Sequence, residues 1–543
     1  MAESTAALPQ QGAPATSLGG VAWQPKYNRW LIALTVTLAT FMEVLDTSIA
    51  NVALPHIAGS LGASQEESTW VLTSYLVSNA IVLPISAWLS RLIGRKRFYM
   101  TCVALFTASS FLCGLAPTLG LLVFFRVLQG VGGGGLQPSE QSILADTFPP
   151  SMRGMAFAVY GMAVVVAPAI GPTLGGWLTD NYTWHWVFYI NVPVGLISLF
   201  LTNKMVEDPP YLAKERERVR GKRVDWWGLG LIALGISSLQ LVLDKGQQKD
   251  WFSTHWITVT FIIAIVSLTA WIVWEWRHPD PIVDIRLFKH RNFATAIFFT
   301  FVLGITLFGT TVMLPEFLEN LLAYPAVAAG EALAGGGFIM MLMMPVAGAL
   351  AGRLDPRILM AFGFSSTGAA LFYMSQNISL GMDFRTAFIL RVLQTLGLAF
   401  IFIPSSTLSY VGIPMEKNNQ VSAINSFVRN IGGSLGIALI TNYLTRSAQQ
   451  HQTFLVSHTA PGSPAYEATL KGISGALQNA GVNKFDAHQQ SLERMYGLVQ
   501  QHATSLAYVD VIAVLALVVG ALTPFVLILK RPPKQAARSA PLH

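Results

Sequence analysis

Charge is scarce in this chain. Only 12% of its 543 residues are Asp, Glu, Lys or Arg, whereas 52% are hydrophobic. Soluble proteins carry about 25% charged residues, so a water-facing coat for a chain this long is missing, and a string of soluble domains is excluded. Cysteine is nearly absent. Cys102 and Cys113 are the only two, which excludes a disulfide framework. They lie about 16 Å apart if their apolar run is helical, too far to pair with each other. The ten His are scattered without metal-ligand spacing, and no His-Glu-x-x-His occurs, so no metal site is expected. No Gly-x4-Gly-Lys-Ser/Thr occurs either, which removes an ATP-driven pump on this chain. Gly130-x-Gly132-x-x-Gly135 matches a dinucleotide fingerprint, but no strand precedes it and its surroundings are apolar. No cofactor and no enzymatic activity are expected.

What the chain has is long apolar runs. Fourteen are long enough to cross about 30 Å of hydrocarbon: 29–52, 69–90, 98–115, 119–146, 154–179, 185–203, 225–243, 256–275, 293–318, 326–350, 357–376, 384–411, 419–444 and 507–529. They do not alternate as barrel strands do, and helices satisfy their own backbone in lipid. The reading is an all-α integral membrane protein.

Lys and Arg set its orientation. With the amino terminus placed in the cytoplasm, 25 of the 35 basic residues fall in loops on that side, seven outside and three within helices. Both termini are then cytoplasmic. The net charge of +7 reflects topology, not nucleic-acid binding.

The chain is internally duplicated. Arg126-Val127-Leu128-Gln129 recurs as Arg391-Val392-Leu393-Gln394, and Leu54-Pro55 recurs as Leu314-Pro315. Two related six-helix halves with two inserted helices follow. The segments are a disordered amino terminus at 1–25, a first bundle at 26–203, a basic linker at 204–224, the insert at 225–276, a second bundle at 277–530 and a tail at 531–543. The second bundle carries a long outside loop at 446–506, whose apolar spacing predicts short amphipathic helices. Two parallel halves are the plan of major facilitator transporters, which bind substrate between the halves near midplane.

Motifs make this more specific. Span 1 carries Leu45-Asp46-Thr47 and Asn51-Val52-Ala53-Leu54-Pro55. Span 4 carries Arg126-x-x-Gln129-Gly130, and span 5 carries Gly161-x9-Gly171-Pro172-x-x-Gly175-Gly176. Trp184, Trp186 and Asn191-Val192-Pro193 follow. This ordered set resembles the EmrB/QacA family of fourteen-span drug:proton antiporters within the major facilitator superfamily, and its EmrB-type permeases in particular. The resemblance implies proton-driven export of hydrophobic or cationic drugs across a bacterial inner membrane. It also implies a periplasmic membrane-fusion adaptor and an outer-membrane channel as partners, with the outside loop as a docking element. The glycines and Pro172 of span 5 would form the antiporter motif, limiting leak through close packing. In the loop after span 2, Gly94, Arg95 and Lys96 match the family's gating motif, but Arg91 stands where the family has an acid. A narrower metabolite or siderophore exporter and a non-transporting sensor or scaffold are the alternatives.

Charges inside apolar helices are costly and point to function. Glu43 and Asp46 share one face of span 1, and carboxyl groups withdrawn from water hold protons to higher pH. They are the expected proton-coupling pair, Asp46 first because it lies on the family motif. Arg126 in span 4 needs a partner, with Glu43, Asp46 and Glu140 as candidates. Its repeat counterpart Arg391 is expected to be structural, and Arg429 an anchor between helices. Glu140 and Glu331 are expected to attract cationic substrate. Phe41, Met340, Met344 and Phe402 are the expected apolar contacts.

Overall fold

The computed structural model describes residues 23–219, 224–459 and 462–529. Most of the amino terminus at 1–25, part of the linker at 204–224 and the tail at 531–543 therefore lie outside the described residues.

Nineteen α-helices run in the order α1 (Arg29–Leu61), α2 (Gln65–Ser68), α3 (Trp70–Ile93), α4 (Arg95–Gly114), α5 (Leu119–Gly133), α6 (Leu136–Thr147), α7 (Arg153–Asn181), α8 (Trp186–Tyr189), α9 (Asn191–Met205), α10 (Pro210–Val219), α11 (Trp226–Lys245), α12 (His255–Arg277), α13 (Arg291–Asn320), α14 (Ala326–Ala351), α15 (Pro356–Asn377), α16 (Phe384–Leu408), α17 (Asn418–His458), α18 (Pro464–Asn479) and α19 (Lys484–Ala521). No strand occurs among the described residues. Helix starts carry the polar caps that exposed N–H groups need: Asn28 caps α1, Thr118 caps α5 and Asp225 caps α11.

Thirteen of these helical segments are long and apolar enough to cross a membrane. The fourteenth span is α4. It is 20 residues long, opens on Arg95, Lys96 and Arg97, and carries Thr101, Thr107, Ser109 and Ser110. It falls short by composition alone and packs on α5 and α9. Span 4 breaks into α5 and α6 at Gly134 and Gly135.

α1 packs on α7 and α9, while α4 and α3 both pack on α5. The same pattern returns later in the chain, where α13 packs on α17, α15 on α16 and α19, and α14 on α16. The two groups meet along α7–α14 and along α17 with α3 and α6. The inserted pair α11–α12 lies to one side, with α11 against both α3 and α17.

The expected short helices of 446–506 are instead mostly extensions of long ones. α17 has 41 residues and α19 has 38. At 1.5 Å per residue each is about 60 Å long, roughly twice the hydrocarbon thickness. Helical hydrogen bonding is internal, so a helix need not stop where lipid does. Only α18 is a separate short helix. Asp510 on α19 accepts from Ser447 at 2.5 Å and pairs with His451 at 2.7 Å, tying the projecting parts together.

Close helix approach depends on small residues. A Cβ on Gly130 would lie 2.0 Å from Ser78 Oγ and 2.5 Å from the Tyr75 carbonyl oxygen. The backbone of α3 cannot yield there without moving. Gly130→Val is expected to separate α5 from α3 and cost about 1–3 kcal/mol or more by overpacking, read as a lower melting temperature in detergent.

Candidate functional site

Asp46 and Arg126 meet in the first helical group. Asp46 Oδ2 accepts from Arg126 Nη1 at 2.6 Å, and both side chains are fully buried. Of the three acids open to Arg126 from sequence, this is the one it pairs with. Asp46 Oδ1 accepts from Gln129 Nε2 at 2.9 Å and from Asn191 Nδ2 at 2.6 Å. Arg126 also donates to Gln129 Oε1 at 2.8 Å and to the Val71 carbonyl at 3.0 Å. Its remaining Nη2 has no hydrogen-bond partner among the described residues, but the guanidinium lies 4.4 Å from the Tyr75 ring centroid. A ring face is a workable neighbour for a desolvated cation.

The duplication is visible at side-chain level. Arg391 donates to Gln394 Oε1 at 2.7 Å, as Arg126 does to Gln129. Gln394 Nε2 donates to Thr310 at 2.9 Å, and Arg391 reaches Thr310 and Thr311 at 3.1 and 2.7 Å. Thr310 thus accepts from the Arg–Gln pair of the second half as Asp46 does in the first. Among the described residues, only the first half holds a carboxylate–guanidinium couple at this place.

Glu43, one turn from Asp46, is bound differently. Its Oε1 accepts from Tyr75 and Asn79, both at 3.2 Å, and its Oε2 accepts from Gln137 at 2.8 Å. It is buried and makes no ion pair among the described residues. Gln137 Oε1 in turn accepts from Arg429 Nη2 at 2.7 Å, and Arg429 also donates to the Tyr160 hydroxyl. A continuous path of hydrogen bonds thus links α1 to α17 in the other half. Gln141 extends the contact, donating to Ser426 at 3.0 Å and accepting from Asn425 at 3.1 Å.

Glu43 opens onto a cavity of about 160 Å³ between the halves, lined also by Tyr75, Asn79, Gln137, Gln240 and Asn430. Drug-sized ligands occupy about 300–1,000 Å³, so this conformer holds the cavity nearly shut. Glu140 does not reach it. That buried side chain accepts from Thr37 at 2.5 Å.

The basic end of the molecule is closed by a second network. Arg95 and Asp146 form an ion pair. Asp146 also accepts from Tyr211 at 2.5 Å and from Asn418 Nδ2 at 2.7 Å. Burial and the neighbouring Asp146 charge push the Tyr211 phenol well above its usual range, which keeps it a donor. Asn419 donates to Ser90 at 3.1 Å. Gly94 turns the chain at φ +94°, where a side chain would be strained. Lys96 reaches the carbonyl of Asn203 at 2.7 Å, and Arg91 that of Pro281 at 3.4 Å. The carboxylate that serves Arg95 comes from Asp146 of α6. Asp146→Ala removes three donors' common acceptor and strands a buried arginine. Breaking such a pair costs about 3–5 kcal/mol, and the expected result is faster thiol labelling of a cysteine placed at Gln141 from this face.

The span 5 motif divides its contacts. A Cβ on Gly161 would meet Met344 and Phe402 of the other half, while Gly171 and Gly175 abut Ser48 and Ile49 of α1. Gly176 has open space, and Pro172 sits inside α7. Other expected contacts fall away from the cavity. Glu331 is exposed on α14, which removes it as a buried acid. Phe41 packs half-buried against the cluster around Ile49. Met340 and Met344 are core residues, and Phe402 lies 6.0 Å from Tyr160 by ring centroids. Tyr75, Asn79, Gln137 and Gln240 escaped the sequence reading. Neutral amides in apolar helices were the available signal.

Comparison with known proteins bears on this geometry. The profile of the Major Facilitator Superfamily matches residues 36–437. The multidrug export protein EmrB of Escherichia coli (strain K12) is 37% identical over 445 residues, covering 82% of this chain and 86% of that one. The fatty acid resistance protein FarB of Neisseria gonorrhoeae is 37% identical over 455 residues, covering 83% and 87%. Among solved structures, the proton:xylose symporter XylE aligns with a TM-score of 0.56 at 15% identity, covering 92% of this chain and 96% of that one. That likeness concerns the fold.

Proposed function

The chain belongs to the Major Facilitator Superfamily as an EmrB-type drug-efflux permease of the bacterial inner membrane, and we propose that protons drive it. In this reading it is an antiporter: protons enter as hydrophobic or cationic drugs leave, and the two halves rock around the cavity at Glu43. The basic end faces the cytoplasm, with both termini there. The observation that carries the reading is the Glu43–Gln137–Arg429 path. It joins a buried carboxyl without an ion pair to the opposite half, beside the cavity. A charged carboxylate holds Gln137 with a charge-assisted bond worth about 1.5–3 kcal/mol, against about 0.5–1.5 for a neutral one. Protonating Glu43 therefore loosens Gln137 and, through it, the grip of Arg429. Asp46 and Arg126, with both Asp46 oxygens occupied, form a fixed buried pair one turn from Glu43.

The driving force is adequate. A proton moving down 100 mV releases about 2.3 kcal/mol, enough for a useful drug gradient without ATP. The test uses purified protein in proteoliposomes with a pH-sensitive dye. Drug addition should release protons in proportion to drug moved, and a protonophore should abolish uphill transport. Drug movement with no proton flux would overturn the coupling.

The projecting parts of α17 and α19, with α18, expose Phe485 and Tyr496. They are suited to dock a periplasmic membrane-fusion adaptor and, beyond it, an outer-membrane channel. Removing residues 459–483 should then cost adaptor co-purification while leaving proteoliposome exchange intact.

A further inference from the structure

α11 belongs to neither six-helix half, yet it closes the cavity. Gln240 of this inserted helix lines the cavity wall. At the cytoplasmic end α3 and α17 meet directly, through Ser90 and Asn419. Towards the other end α11 stands between them and bonds to both.

Its two sets of bonds differ in kind. On the side of the first half they involve charges: Asp244 accepts from Thr73 of α3, Lys245 donates to Thr69 just before α3, and Lys249, in the turn after α11, pairs with Glu66 of α2. Lys245 also lies 5.3 Å from the Trp70 ring centroid. Towards α17 the bonds are neutral. Gln240 donates to Ser434 at 3.1 Å, and Gln247 donates to Thr445 at 3.3 Å. Hydrogen bonds to ionised groups are roughly twice as strong as neutral ones. A helix tied to both halves must release one of them when they rock, and the neutral side is the weaker.

The cavity reaches the protein surface on the same flank. Leu76 lines it and is 36% exposed, and Ser434 and Ile437 are half-buried. The cavity is also too small for a drug in this conformer, so a wall has to move.

We propose that the seam between α11 and α17 is a lateral portal, through which amphipathic molecules dissolved in the bilayer reach the cavity, and that Gln240 and Ser434 latch it. This rests on the export reading and names the route by which its substrates enter. α11 travels with the first half, and α17 parts from it.

The test is cross-linking in the full chain. One variant carries Gln240→Cys and Ser434→Cys, and the other carries Thr73→Cys and Asp244→Cys. Both are joined by a short reducible thiol linker. The native Cys102 and Cys113 are buried, and single-cysteine chains serve as controls. Joining 240 to 434 should abolish export of a membrane-partitioning dye, and reduction should restore it. Joining 73 to 244 should leave export at the level of the reduced chain. Undiminished export with 240 joined to 434 would overturn the portal, as would equal loss from both links. If the reduced chains export nothing, the export reading fails instead. The portal is then judged by spin-label distances at acid and neutral pH: the α11–α17 distance must widen while α11–α3 stays constant, and an unchanged α11–α17 distance would overturn it.

Discussion

Glu43→Gln is expected to reduce pH-gradient-driven export to the level of empty vesicles, with the protein still folded and still binding drug. The substitution keeps the shape and one acceptor oxygen, so Tyr75, Asn79 and Gln137 remain close to a polar partner. It removes the ability to gain and lose a proton. The loss should therefore fall on coupling and spare stability. Equilibrium drug binding in detergent should persist and lose its pH dependence, because the variant is held in a form resembling protonated Glu43. Glu43→Asp keeps a titratable group on a shorter stem and should retain part of the proton-driven flux. If Glu43→Gln exports as well as the parent under a pH gradient, Glu43 is not the carrier.

The second large effect concerns Arg126. Arg126→Leu leaves Asp46 fully buried with Gln129 and Asn191 as its remaining donors. Removing one member of a buried pair costs about 3–5 kcal/mol, a large share of a typical stability of about 5–15 kcal/mol. Little folded protein is expected in the membrane. Asp46→Asn should be similarly harmful, because it leaves the buried guanidinium with neutral acceptors at Gln129 and Val71 and a ring contact but no counter-charge. The double variant Asp46→Asn with Arg126→Leu removes both charges. It should recover much of the folded yield, measured by size-exclusion chromatography in detergent, without recovering proton-driven export. Recovery of export as well would assign the pair a purely structural role.

The sequence made the costly features legible. Apolar runs mark spans because lipid permits little else, and a carboxylate or guanidinium in such a run stands out by its charge. Asp46, Arg126 and Glu43 stand out this way, and the Arg-x-x-Gln pair repeated in the two halves was already written at Arg126 and Arg391. The choice of Asp46 over Glu43 and Glu140 as partner to Arg126 was not legible. It depends on how far α5 is rotated and shifted against α1, which spacing within one helix does not contain. Gln137, Asn79 and Gln240 were overlooked because an uncharged amide interrupts an apolar pattern no more than a serine does. Glu331 misled for the opposite reason: its charge stood out within an apolar stretch, but it lies on the exposed side of α14. The reach of α17 and α19 beyond the bilayer was also missed, since no composition change stops a helix there.

The weak apolar character of α4 bears on how the chain is made. A nascent segment partitions into lipid according to its own side chains, and α4 offers Ser, Thr and three leading basic residues. In the orientation proposed above, those basic residues would hold its start at the cytoplasmic surface, while its passage across is assisted by the partners that later pack on it. α3 precedes it and α5 follows, so α4 is expected to enter as the middle member of a group and not alone. Biogenesis would then be most sensitive at α4, where a truncation ending after Gly114 should leave the segment only partly inserted in a glycosylation-mapping assay, and one extended through α5 should insert it fully.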